Sequence, residues 1–120
     1  MSPARPLALD RMIREAITRV GEVPGVEIVL ATDPDPMLVT AQTERLAELL
    51  DRMLGSSIVA VRRIGQILIA VYPDSDFKSV RIELAHRVPL DSTVLAILEE
   101  CGGAATVAPD ATIISFPRSR

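Results

Sequence analysis

The sequence predicts an α/β (α+β) domain, and three observations carry the expectation. Two stretches place apolar side chains at helical spacing, a β-branched run of strand length lies between them, and a ribbon of three short apolar segments follows whose connections are short enough to favour antiparallel neighbours. With 120 residues the chain has the size of one ordinary domain. Residues 1–120 are therefore read as a single unit, with residues 1–8 and 117–120 as flexible tails.

In the first helix Leu9, Met12, Ile13, Ala16, Ile17 and Val20 share one face, and Asp10, Arg11, Arg14, Glu15 and Arg19 take the other. Gly21 and the turn VPG end it. VEIVLA (residues 26–31) follows as a strand with Val26, Ile28 and Leu30 on one side. TDPDP (residues 32–36) reads two ways. It makes a hairpin turn, which would turn residues 37–41 into a short strand, or a helix start with Asp35 as N-cap and Pro36 in the first helical position. From Thr43 onward Leu46, Leu49, Leu50, Met53 and Leu54 line one face of a second helix, with Glu44, Arg45, Glu48, Asp51 and Arg52 opposite, and Gly55 is expected to stop it.

The ribbon comes next. Residues 58–64 form its first strand, Gly65-Gln66 the turn, and residues 67–72 a strand apolar on both faces, as expected near the middle of a sheet. After PDSD, Val80, Ile82 and Leu84 alternate with Ser79, Arg81 and Glu83, giving a third strand with one wet face. Asp91 or Ser92 caps a third helix over residues 94–101, which Gly102-Gly103 ends, and ATIISFP supplies one more strand before a polar tail. The strand, helix and hairpin of residues 26–73 are faintly echoed in residues 80–117.

Thirteen basic and sixteen acidic side chains give a net charge of −3, interspersed along the chain, so no basic stripe advertises a nucleic-acid partner. The aromatic residues are Phe77, Phe116 and Tyr72, too few to stack bases. Cys101 is the single cysteine and cannot close an intrachain disulfide; with Glu99 and Glu100 beside it, it reads as a small buried hydrophobe whose thiol is hard to ionise. His86 has no triad partner at suggestive spacing, and Gly102-Gly103 follows a helix where a phosphate loop would precede one. No catalytic, metal or cofactor site is expected from these residues. The N-terminus lacks the apolar core of a signal peptide and no run approaches membrane-spanning length, so a cytoplasmic protein without membrane insertion is expected. An apolar content of 48% in so small a chain points to self-association.

With the hairpin option the order becomes helix, two strands, helix, three-stranded antiparallel meander, helix. That order, with Pro24-Gly25-Val26 between first helix and first strand, Asp33 to Asp35 in the hairpin and Pro73 to Asp76 in the meander, resembles the Roadblock/dynein light-chain family. The resemblance implies a five-stranded sheet with helices on both faces, plus an extra C-terminal strand. It further implies a non-enzymatic, homodimeric regulator or scaffold for a small GTPase or similar signalling protein. Two sheets would join through the strand of residues 58–64, with Leu49, Leu50 and Met53 packing across the two-fold and Ile58, Ala60 and Arg62 completing the interface. The same TDPD is also similar to Toprim domains of the RecR type. That likeness implies a nucleic-acid-associated domain in which Asp33 and Asp35 form a degenerate Asp-x-Asp site for magnesium, although two carboxylates alone hold Mg²⁺ poorly.

Overall fold

The computed structural model describes residues 3–61 and 65–119. Ten elements follow in chain order: β1 (Arg5–Ala8), α1 (Leu9–Val20), β2 (Glu27–Thr32), β3 (Leu38–Ala41), α2 (Thr43–Ala60), β4 (Gln66–Pro73), β5 (Ser79–Leu84), α3 (Ser92–Glu100), β6 (Ala104–Val107) and β7 (Thr112–Pro117). Five strands form one sheet in the order β2-β4-β5-β7-β6, while β1 and β3 make a separate antiparallel pair. Within the main sheet β2 runs parallel to β4, and each remaining neighbour is antiparallel.

The helices form where expected because their stripes find a core. Leu9, Met12, Ile13 and Ala16 of α1 are buried, as are Leu46, Leu49, Leu50, Met53 and Leu54 of α2 and Val94, Ile97 and Leu98 of α3. They meet Ile67, Ile69 and Val71 of β4, Val80, Ile82 and Leu84 of β5, and Ile114 and Phe116 of β7 in one cluster. Only one face of the sheet is covered in this way. On the other, Val29 and Leu68, partners in the β2–β4 register, are 37% and 42% exposed. The expectation of helices on both faces is thus corrected, and β4 is covered on one face only.

Three further expectations change. Residues 58–60 belong to α2, which runs through Gly55; residues 62–64, the rest of the expected strand, lie outside the described residues. A helix-interior glycine costs about 1 kcal/mol relative to alanine. Here burial of Met53, Leu54, Ser57 and Val61 outweighs that cost, and the Ser57 hydroxyl donates to the Met53 carbonyl at 2.9 Å. Next, β2 and β3 form no hairpin: β2 joins β4, β3 joins β1, and residues 33–37 connect the two sheets. Lastly, the C-terminal strand is no appendage. β7 lies between β5 and β6, and residues 5–8, expected as a tail, pair with β3.

At the end of α3 one glycine is sterically required. A Cβ on Gly103 would stand 2.7 Å from both Leu98 Cδ1 and the Ser115 carbonyl oxygen. Helix and sheet come close there, and the Gly103 N–H donates to the Leu98 carbonyl at 2.8 Å.

Candidate functional site

The outer face of α2 carries Arg45, Glu48 and Arg52 at spacings of three and four, which brings neighbouring side chains together on a helix. The two ends of α3 supply Asp91 and Glu100. Together they form a ladder of five charges across the seam between the helices. Arg45 donates through Nε and Nη2 to the two Glu100 oxygens at 2.9 and 2.8 Å, and through Nη1 to Glu48 at 2.9 Å. Arg52 Nε donates to the other Glu48 oxygen at 3.2 Å, and Arg52 Nη1 stands 3.5 Å from Asp91 Oδ2. Asp91 Oδ1 is also in use, accepting from the Val94 N–H at 2.8 Å as the N-cap of α3. Both ends of α3 are therefore fixed to one helix. The hydrogen bonds from Arg45 hold the Glu100 carboxyl below its ordinary range, and those to Glu100 raise the Arg45 guanidinium.

Beside the Arg45–Glu100 pair opens a cleft of about 500 Å³ lined by Ala4, Thr40, Ala41, Gln42, Arg45, Glu100 and Cys101. Burial, and after it the Glu100 charge, pushes the Cys101 thiol up, so the sulfur is protonated at neutral pH and a poor nucleophile.

The residues singled out in the sequence are scattered. Asp33 and Asp35 lie in the connection between the sheets, where the Asp35 N–H donates to Asp33 Oδ1 at 3.0 Å, a local turn contact. Among the described residues no group of three or more His, Cys, Asp or Glu side chains could hold a metal ion. Leu49, Leu50 and Met53, expected on a two-fold seam, are fully buried in the chain's own core. Their face of α2 points inward because that is where the sheet lies. Ile58 is half-buried, Ala60 is exposed, and Arg62 lies outside the described residues. His86 sits in the loop after β5; buried Thr112 donates to its carbonyl at 3.1 Å and accepts from the Val88 N–H at 2.8 Å. The His86 Nε2 is enclosed without a partner, and burial lowers the imidazole pKa. Sequence reasoning missed the ladder: Arg45 and Arg52 read as a solvated face, and their spacing gave the only signal.

Comparison of the sequence with protein-family models gives no match, and comparison with curated proteins gives no significant relative. The fold is shared along nearly the whole chain with solved histidine-kinase domains. The ATP-binding domain of PrrB from Mycobacterium tuberculosis superposes with a TM-score of 0.79 at 11% identity, covering 99% of this chain and 100% of that one. The histidine kinase domain of the E. coli osmosensor EnvZ gives 0.73 at 14%, covering 100% and 92%. Histidine kinase ThkA, in complex with the response regulator TrrA, gives 0.77 at 18%, covering 97% of this chain and 42% of that one. Such identities establish the fold. They overturn the Roadblock and Toprim resemblances, and with them the reading as a non-enzymatic GTPase scaffold, since histidine kinases use this architecture for a catalytic domain.

A helix N-terminus opened by glycine is one common way to hold nucleotide phosphates, with one or two carboxylates sharing the magnesium ion with them. The eight residues before α1, before α2 and before α3 contain no glycine. The N-terminus of α3 is instead occupied by the Asp91 carboxylate, the wrong charge for a phosphate. Among the described residues none of the three helix starts offers a glycine-opened cradle for a phosphate, and no group of three or more His, Cys, Asp or Glu side chains comes together.

Proposed function

We propose that this chain is a module of the histidine-kinase catalytic-domain type that works in two-component signalling. The observation that supports this is the superposition on the PrrB domain, which covers 99% of this chain and 100% of that one. One of the matched kinases is seen with a response regulator, so the partner assigned here is a signalling protein of that kind. The compartment is the cytoplasm, by analogy with the cytoplasmic segment of the kinase QseC, which shares the fold. Among the described residues no helix is long and apolar enough to cross a membrane.

The test is a titration of the ¹⁵N-labelled chain with response-regulator receiver domains from its own organism and, separately, with Mg–ATP. Saturable amide shifts with a receiver domain are the expected result, and saturable binding of Mg–ATP would support the same assignment by another route. A flat response to both overturns it.

A further inference from the structure

The turn between β4 and β5 holds the only non-glycine residue with positive φ among the described residues, Phe77 at 59°. A bulky side chain is disfavoured in that left-handed region, where glycine and asparagine are at ease. Nothing in the turn requires the ring. The hairpin closes through the Asp74 N–H to the Ser79 carbonyl at 3.0 Å and the Phe77 N–H to the Asp74 carbonyl at 3.1 Å. The Ser79 hydroxyl to Asp74 at 2.6 Å and the Lys78 N–H to Asp76 at 3.0 Å complete it. The ring itself is 62% exposed. An aromatic side chain kept in a strained backbone position and presented to solvent is a feature that turn formation does not explain.

Its surroundings are built as well. Arg118 places its guanidinium carbon 6.0 Å from the Phe77 ring centroid. The segment just after β7 that carries Arg118 is fixed on both sides: the Arg118 N–H donates to the Lys78 carbonyl at 2.9 Å, Arg118 bridges Val39, and the Ser119 N–H donates to the Leu38 carbonyl at 2.8 Å. Between these parts lies a cleft of about 570 Å³ lined by Phe77, Lys78, Pro117, Arg118 and Ser119. Its lining charges are two cations and no carboxylate, in a chain of net charge −3. Neither Lys78 nor Arg118 takes part in an ion pair with the described carboxylates.

From this we propose that the Phe77–Lys78–Arg118 cleft is a docking site for a protein segment that combines an apolar anchor with flanking carboxylates. The ring and Pro117 would take the apolar side chain, and Lys78 and Arg118 would pair with the acids around it. The inference does not depend on the two-component assignment, since it concerns the chemistry of the segment and not the identity of the protein that carries it.

The experiment uses a fluorescein-labelled peptide of alternating glutamate and leucine, with three controls: the same peptide with lysine for glutamate, polyglutamate, and inorganic phosphate as competitor. The glutamate–leucine peptide should bind saturably, more weakly as salt rises, and shift the amides of Phe77, Lys78, Arg118 and Ser119. Phe77→Gly, which suits the turn, should keep the native spectrum elsewhere and weaken binding about tenfold or more. Arg118→Glu should shift preference toward the lysine–leucine peptide, and this readout stands apart from the turn. Absence of saturable binding, equal binding of the lysine–leucine peptide by the parent, amide shifts elsewhere, or an unchanged affinity in Phe77→Gly would overturn the proposal. Displacement of the peptide by equimolar phosphate would also overturn it, by making the cleft an anion site.

Discussion

Arg45 of α2 and Glu100 of α3, 55 residues apart in sequence, face each other through two hydrogen bonds of 2.9 and 2.8 Å. Such fork-to-fork pairing is the geometry in which a surface ion pair contributes measurably, because the planar guanidinium meets both carboxylate oxygens at once. It ties the end of α3 to the start of α2, as Arg52 and Asp91 tie the beginning of α3 further along the same helix.

The pair has a pH signature. Arg45 depresses the Glu100 carboxyl below its ordinary value of 4.5, so the folded chain binds that proton less readily than the unfolded one. The stabilisation is fully present above that value and is lost as pH falls through the folded value. Glu100→Gln should lower the melting temperature by a few degrees at most near neutrality. The gap to the parent should close as pH falls through the depressed Glu100 value, below which both forms are uncharged at this position. Thermal denaturation across that range checks it; a gap that widens with acid would refute the assignment.

His86 gives a second limb of the same sign, beginning at higher pH. Burial depresses its pKa below 6.5 and its Nε2 has no partner, so protonation favours the unfolded chain. Stability attributable to this residue is present above pH 6.5 and declines as pH falls below it. His86→Gln should flatten that decline without reducing stability at pH 8 by more than about 1 kcal/mol. Denaturant midpoints at a series of pH values measure the difference.

Leu50 tests the inner face of α2. Fully enclosed between helices and sheet, it should cost about 2–5 kcal/mol when cut back to alanine. Leu50→Glu would bury an unpaired charge, so it should abolish cooperative unfolding. A folded Leu50→Glu chain of reduced oligomeric state would instead mean that this side chain faces a partner.

The outcome for α2 illustrates how far the sequence was readable. Its first three turns repeat apolar residues without interruption, and a helix follows from that stripe alone. GSSIVA (residues 55–60), in contrast, combines glycine with β-branched residues, and local propensity says stop or strand. What carries the helix onward is burial of Ser57 and Val61 against elements far away in the chain. Strand neighbours were less legible still. The alternation in residues 26–31 tells which side chains share a face, but nothing in it distinguishes pairing with residues 38–41 from parallel pairing with residues 66–73. The ladder was half visible: the i, i+3 and i+4 spacing of Arg45, Glu48 and Arg52 is in the sequence, whereas Asp91 and Glu100 become their partners only once α3 packs beside α2. Phe77 gave no signal at all, because backbone strain cannot be seen in residue identity.

The sheet order makes one last prediction. β4 is hydrogen-bonded on both edges, to β2 and to β5, and β5 is likewise held between β4 and β7, whereas β2 and β6 each have a neighbour on one side only. Ile69, Val71 and Ile82 are also buried, so local opening that exposes their amides requires breaking two ladders and the core together. These amides should exchange at rates near those of global unfolding. In β2, half the backbone groups face the free edge, and Val29 is exposed on the open face. Its outward amides should exchange orders of magnitude faster than those of β4. Exchange measured by NMR on the whole chain decides the matter: if β2 is protected as strongly as β4, its outer edge is covered in solution, and if β4 exchanges as fast as β2, the parallel β2–β4 pairing that distinguishes this fold from an antiparallel meander is wrong.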